Sequence, residues 1–554
     1  MKLSKYLVGT LACALMAACS NEENPAVDNG TQGQEGEAYM TVQFAMAGDA
    51  TSRALGGFDY ATDDEIAVTK ATFFFLDASY NGCADPYTLT ASEDWTWTNN
   101  EANPDGSVNT TSSPVIVVRN AISLPKYIVA ILNPTDTYTD RLSLSQLEAI
   151  TGDYETNCQT KGNFVMSNSV YKNGTSKVIA AEVTENNIKE TEAEALADNA
   201  PVVINVERVL AKVAVDNNSQ SGNESIDIDG TASTVTVVLD GFWLDNTNPK
   251  SYLIKDMDAT WNGTVNSTDA WWNDPSNSRS YWAKSYTPAT GESYGHGSYS
   301  ANDKNDKYCQ ENTDASNHTQ VVVAATLEVN NSAVSLVSYR GLYYTKDNFL
   351  TEISNMVPSM STPYYVRTNE GTEPAEYSTL RAQDLDLTFN TSSGDITIDG
   401  SPIEDYEAVP TLASTVTTVY TRSGNEGSYT YTPVSDLSTV RTALNNLVDP
   451  VKYWKDGQTY FYFPIEHNAG SSNPDGSYGV VRNHLYNITI SGVNGLGTPV
   501  PNPDIDIVPV TPPDDEQSYI AAKINILSYK VVTNSVTLGG SSSSGTTTGG
   551  EGGE

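Results

Sequence analysis

The stretch Met40-Thr41-Val42-Gln43-Phe44-Ala45-Met46 decides how this chain is read. In an extended backbone Met40, Val42, Phe44 and Met46 share one face and Thr41 and Gln43 the other. That alternation is the signature of a strand with one buried side. It is followed by Gly48-Asp49-Ala50-Thr51-Ser52-Arg53-Ala54, small and polar, in which Arg53 is the first basic residue after Lys5. A lone Arg in a soft loop is a preferred trypsin-like cleavage point.

Further strands are expected along the rest of the chain. In a first half they are Ala71–Leu76, Val115–Val118, Tyr127–Leu132, Val202–Val206, Val209–Val215, Thr234–Leu239 and Phe242–Leu244. In a second half they are Thr319–Leu327, Asp384–Phe389, Thr415–Tyr420, Gln458–Ile465 and Arg482–Ser491. Tyr127–Leu132 is continuously apolar, as for a strand covered on both faces. Two segments have helical spacing, Leu142–Ile150 and Leu437–Leu447. The fold class is mainly all-β, with a few short helices. The 39 Gly and 25 Pro suit sandwiches with many turns, and 38% hydrophobic residues suffice for packed cores.

Charge narrows the partners. Lys and Arg number 30 against 69 Asp and Glu, a net charge of −39. Nucleic acid and anionic membrane surfaces need clustered cations, so neither is an expected partner. The four histidines, His296, His318, His467 and His484, have neither HExxH spacing nor a GxSxG elbow nearby, and no P-loop or GxGxxG follows a strand. Asp227-Ile228-Asp229-Gly230 is a calcium-loop fragment without its distal Glu and reads as a turn. No catalytic, cofactor or metal residues are assigned, and an enzyme reading has no positive support. Trp261, Trp271, Trp272 and Trp282 lie in an aromatic-rich stretch that either packs on the sandwich or stacks on sugar rings.

The front end reads as a leader. Lys2 and Lys5 precede an apolar run, Tyr6 to Ala18, too short to span a bilayer as a helix. It ends Met16-Ala17-Ala18-Cys19, which resembles a bacterial lipobox with Cys19 as the lipidated (palmitate-bearing) residue. Ser20-Asn21-Glu22-Glu23 resembles the surface-export signal of Bacteroidetes lipoproteins. Cys83, Cys158 and Cys309 are odd in number and form no CxxC, so buried free thiols are favoured over a redox or zinc site.

The back end repeats the strand theme. A Pro-rich acidic linker, 498–517, is long enough to reach on the order of 60 Å if extended. Beyond it Ile520, Ile524 and Ile526 share one phase. Tyr529 and Val531 share the other, and Val536 and Leu538 return to the first. Such a linker suits strands that reach a second molecule. The front strand then reads as a plug in its own sandwich, cut loose by cleavage between Arg53 and Ala54, and the back strands read as donors that refill the groove of a neighbour. A head-to-tail contact of this kind does not close, so its product is a filament.

Three motifs carry a family resemblance: Val206-Glu207-Arg208-Val209-Leu210-Ala211-Lys212-Val213, then Val481-Arg482-Asn483-His484-Leu485-Tyr486-Asn487-Ile488-Thr489-Ile490, then Ile524-Asn525-Ile526-Leu527-Ser528-Tyr529-Lys530-Val531. With the lipobox and Ser52-Arg53-Ala54, the chain resembles the Bacteroidales fimbrilins, closest to the shaft subunit of the minor (Mfa-type) fimbria. Tyr529 stands where the family commonly has Trp. The resemblance implies two transthyretin-like β-sandwich domains and a division into a signal peptide 1–19, a propeptide 20–53, an N-terminal sandwich 54–255, a C-terminal sandwich 256–497, the linker, donor strands 518–538 and a Gly/Ser tail 539–554. It also implies an outer-membrane lipoprotein precursor, an Arg-specific protease, polymerisation with copies of itself, accessory tip and anchor subunits, and adhesion to a host or bacterial receptor with biofilm formation. The alternatives are a monomeric surface glycan-binding lipoprotein, or a tip or anchor subunit.

Overall fold

The computed structural model describes residues 37–46, 62–90, 108–109, 114–153, 163–169, 171–173, 176–178, 180–197, 201–216, 222–256, 284–314, 316–390, 406–467, 478–500, 506–507, 519–528 and 531–536. Cys19, Arg53, Ala54, Cys158, the four Trp of 261–282, Tyr529, Leu538 and the Gly/Ser tail lie outside them.

The first half is built on β1 (Glu37–Met46), β2 (Lys70–Leu76), β3 (Val115–Arg119), β4 (Tyr127–Leu132), β5 (Met166–Asn168) and β6 (Val202–Arg208). In its larger sheet β2, β4, β5, β6 and β1 follow one another. Phe73, Phe75, Ile128, Ala130, Leu132 and Ile204 are all fully buried in one core with Met40 and Val42. Every residue of β4 after Tyr127 is buried, as its unbroken apolar run predicts.

The second half begins with β7 (Leu210–Asp216), separated from β6 only by Val209. It continues through β8 (Gly222–Ile228), β9 (Thr231–Asp245), β10 (Lys307–Gln310), β11 (Gln320–Val329), β12 (Gln458–Pro464) and β13 (His484–Asn494). Two sheets face each other. One runs β10–β7–β13, and the other includes β8–β9–β11–β12. Val213, Tyr486, Ile488 and Ile490 from the first meet Val237, Val321, Val323 and Phe461 from the second. The strands expected at 234–239 and 242–244 are one strand, with a register shift between Leu239 and Gly241. A Cβ at Gly241 would lie 2.5 Å from the Ser300 carbonyl oxygen, so glycine is required there. Asp229 and Gly230, both at positive φ, form the two-residue turn between β8 and β9. The Asp229 carboxylate accepts hydrogen bonds from the Thr345 N–H (3.0 Å) and hydroxyl (2.9 Å). It anchors the N-terminus of a neighbouring helix.

That helix opens an insertion that sequence patterning does not separate from the sandwich. Described residues between 337 and 451 share a separate core, with helix α1 (Lys346–Met356) contributing Phe349 and Ile353 and helix α2 (Leu437–Asn445) contributing Val440 and Leu444. The strand expected at Thr415–Tyr420 starts only at Tyr420.

The linker is shorter than its sequence implies. Thr498–Pro499 (β14) pairs with β12, and Asp506–Ile507 (β15) pairs with Gly297–Ser298. Val500 is buried beside Trp243, Val322 and Tyr460, and its carbonyl accepts the Tyr406 hydroxyl at 2.6 Å. Only 508–518 remain between β15 and the next strand, a reach of roughly 34 Å if extended.

Polar residues knit the two halves where β6 passes into β7. Arg482 Nη2 lies 2.6 Å from Glu311 Oε2, both fully buried, and its guanidinium also donates to the carbonyls of Tyr252 and Leu253. Lys255 Nζ lies 3.1 Å from Glu207 Oε1, again fully buried. The Arg208 N–H donates to Asn483 Oδ1. Burial alone would raise the Glu65 carboxyl, but hydrogen bonds from Tyr308 and Thr62, with Arg208 and Lys212 beside it, hold it at about 2. Burial, with His484 and Lys255 nearby, holds the His467 imidazole well below its usual range.

Two expectations follow. Arg482→Met leaves the Glu311 carboxylate buried and unpaired and should cost about 3–5 kcal/mol, whereas adding Glu311→Leu should recover most of it; denaturant unfolding of the three chains measures both. The unfolded chain binds a proton at His467 below pH about 6.5 that the folded chain refuses, so stability should fall as pH drops through that value. His467→Gln should flatten that limb. A second loss, as Glu65 protonates between about 4.5 and about 2, should remain.

Candidate functional site

β1 is an interior strand, paired along both edges. Glu37–Thr41 pair antiparallel with β3, from Glu37 opposite Arg119 to Thr41 opposite Val115, and Ala45 and Met46 continue that edge against Val108–Asn109. On its other edge Tyr39 exchanges both backbone hydrogen bonds with Lys189, at 2.8 and 2.9 Å, and Val42–Met46 run parallel to Val202–Val206 of β6. Without β1, both β3 and β6 would show a row of unpaired N–H and C=O groups.

Side chains seat β1 as firmly as its ladder does. Met40 and Val42 are fully buried, which contributes about 3–6 kcal/mol before entropy costs. Phe44 and Met46 pair opposite Ile204 and Val206 through their backbone, and their side chains lie outside the described parts. Thr41, expected on the open face, is buried, and its hydroxyl donates to the Ala195 carbonyl. That carbonyl belongs to a five-residue helix, Glu192–Leu196, which roofs the strand. Tyr39 packs beneath the roof with Val117 and Ala195. At the mouth of the slot Arg119 Nε bonds Glu37 Oε1 at 2.7 Å, with the arginine half exposed, so the pair adds little stability.

The donor strands lie on the opposite half. β16 (Tyr519–Ser528) adds antiparallel to β13, from Tyr519 opposite Asn494 to Ser528 opposite His484. β17 (Val531–Val536) folds back along β16 and is the outer strand of that sheet. The change of phase near Tyr529 falls between β16 and β17, outside the described residues. Ile520, Ile524 and Ile526 fall in β16, and Val531 and Val536 in β17. Here these strands pair within their own chain rather than across to another molecule.

The three motifs are brought together by this sheet. β7 runs parallel to β13, with Lys212 opposite Leu485 and Val213 opposite Tyr486, and β16 lies against the far edge of β13. β1 against β6 repeats the arrangement, each half pairing its first strand parallel to a later one.

Cys83 and Cys309 are buried free thiols whose pKa values burial raises to about 11 and about 12. His296 bonds Asp245 and His318 stacks on Tyr478. Among the described residues no group of three or more His, Cys, Asp or Glu is placed to hold a metal ion, and no helix is long and apolar enough to cross a membrane.

Comparison with known proteins agrees with the motifs. Residues 452–535 match the family profile described as major fimbrial subunit protein type IV, fimbrillin, C-terminal. That span includes β12, β13, β16 and nearly all of β17. No curated protein matches. Among solved structures, a candidate cell adhesion protein from Parabacteroides distasonis ATCC 8503 is 14% identical, with 89% of this chain and 97% of that one covered and a TM-score of 0.34. A second, from Bacteroides eggerthii DSM 20697, is 11% identical over 89% and 97%, with a TM-score of 0.30. The tip fimbrial protein Mfa3 from Porphyromonas gingivalis, truncated at its C-terminus, is 9% identical over 88% and 99%, with a TM-score of 0.27. The architecture itself rests on this chain's own strand order and register.

If the slot depends on β1, Met40→Ala should cost the uncleaved chain about 2–5 kcal/mol. Thermal melting monitored in the first half is the check, and an unchanged melting temperature would remove β1 from the core.

Proposed function

We propose that this chain is a fimbrial subunit that polymerises by strand exchange, with β1 as a removable plug. The observation that carries the reading is β1 itself. It is paired on both edges and buried through Met40 and Val42, yet it joins the rest of its sandwich only through the segment that contains Arg53. Cleavage between Arg53 and Ala54 turns an intramolecular strand into a separate peptide and abolishes its effective-concentration advantage. The vacated slot then takes a strand from a neighbour's back end, and the head-to-tail contact propagates as a filament.

The cis pairing of β16 with β13 is the resting place of the donor before exchange. Release from β13 costs ladder bonds, and the slot returns them in kind, so the exchange runs near balance until cleavage tips it. Export as a lipoprotein through Cys19, maturation by an Arg-specific protease and a place in the shaft, with tip and anchor subunits and a surface receptor as partners, belong to the same proposal.

Arg53→Ala should leave monomers under conditions where the cleaved parent forms detergent-resistant ladders, and equal laddering by the variant would defeat the plug role. Removing 519–538 should abolish ladders while both cores still melt cooperatively. Filaments from the truncated chain would put the donor elsewhere.

A further inference from the structure

The register of the exchange can be read from the two strands. Resting on the strand-exchange reading, we propose that β16 takes the place of β1 with Tyr519 in the seat of Tyr39, so that Tyr39-Met40-Thr41-Val42-Gln43-Phe44-Ala45-Met46 is replaced by Tyr519-Ile520-Ala521-Ala522-Lys523-Ile524-Asn525-Ile526.

Each position has a physical reason. Tyr519 meets the same pocket beneath the Glu192–Leu196 helix that holds Tyr39 against Val117 and Ala195. Ile520, Ala522, Ile524 and Ile526 fall in the phase of Met40, Val42, Phe44 and Met46. Ala521 replaces the buried Thr41, and the Ala195 carbonyl retains its hydrogen bond from the Ala197 N–H. Lys523 replaces Gln43, which pairs with Val203, a residue 48% exposed, so the ammonium reaches water at that level. Upstream, Gln517 takes the position of Glu37 opposite Arg119, so the exposed ion pair there is exchanged for a neutral amide.

Sliding the donor by two so that Tyr519 falls at position 41 puts its ring where Thr41 is buried beneath the helix, and the other nearby registers fail on Lys523. Sliding the donor by one residue puts Lys523 and Asn525 into the apolar phase. Sliding it by two, with Tyr519 at position 37, puts Lys523 where Thr41 is buried beneath the helix and costs a desolvated ammonium. β17 offers only six paired residues, and Asn534 interrupts the phase of Val532 and Val536.

The match is deliberately imperfect at one level. Ala522 fills less of the fully buried site than Val42 does, and Ala521 lacks the hydroxyl of Thr41. The donor is therefore the poorer occupant while β1 is still attached, which keeps uncleaved subunits apart.

The test uses the cleaved full-length chain. Val203→Cys combined with Lys523→Cys should give disulfide-linked ladders between subunits on mild oxidation, and each single variant should give none. Val203→Cys with Asn525→Cys should stay unlinked. Ladders from the Asn525 pair instead, or filaments in which neither pair links, overturn the register while leaving strand exchange standing. Absence of any filament from the cleaved parent overturns both. Independently, Ala522→Val should slow filament dissociation about tenfold, because two added methyl groups fill the seat of Val42. An unchanged or faster dissociation rate would contradict the assignment.

Discussion

Everything in this molecule turns on the two edges that β1 satisfies at once. A buried backbone group without a partner costs as much as a lost hydrogen bond, so β3 and β6 need a strand between them whatever its origin. The ladder is indifferent to which chain supplies that strand. The side chains are not, and Met40, Val42 and the Tyr39 pocket set the shape an occupant must have. Main-chain pairing supplies the generic affinity and the alternating pockets the register, as in other cases of strand addition.

The same topology appears twice with opposite consequences. In each half the first strand runs parallel to a later one, β1 against β6 and β7 against β13. β7 follows β6 after a single residue and cannot leave. β1 is joined in sequence to the rest of its half by the segment that holds Arg53, where the proposed cut would release it. At the crossing where that permanent strand begins, Arg482 is held by Glu311 and donates to the carbonyls of Tyr252 and Leu253, and Lys255 pairs with Glu207 of β6. An intact ion pair there is worth little over an apolar contact, but losing either partner is costly, so the joint tolerates no half measures.

Much of this was legible in the residues, for reasons that differ by element. Tyr127–Leu132 and the helix at Leu437–Asn445 announce themselves by local periodicity. The strand character of Met40–Met46 does too, although its interior position does not, because one strand's sequence says nothing of how many neighbours it has. Thr41 was expected on the open face, since a roofing helix of five residues leaves no periodic trace. The insertion at 345–450 stayed hidden because its strands are short, although Phe349, Ile353 and Val357 carry helical spacing. The Pro-rich composition of 498–517 implies a free linker throughout, whereas burial of Val500 depends on Trp243 and Tyr460, which sequence cannot place beside it. Arg482 and Glu311 stand 171 positions apart, and no local rule pairs them.

The central claim is that the place between β3 and β6 changes hands. Imaging of the assembled fibre at side-chain detail addresses it most directly. The account predicts that the strand lying between 115–119 and 202–206 of each subunit belongs to the back end of the next, with residues 37–46 gone. A fibre in which 37–46 still occupy that position in every subunit would contradict it.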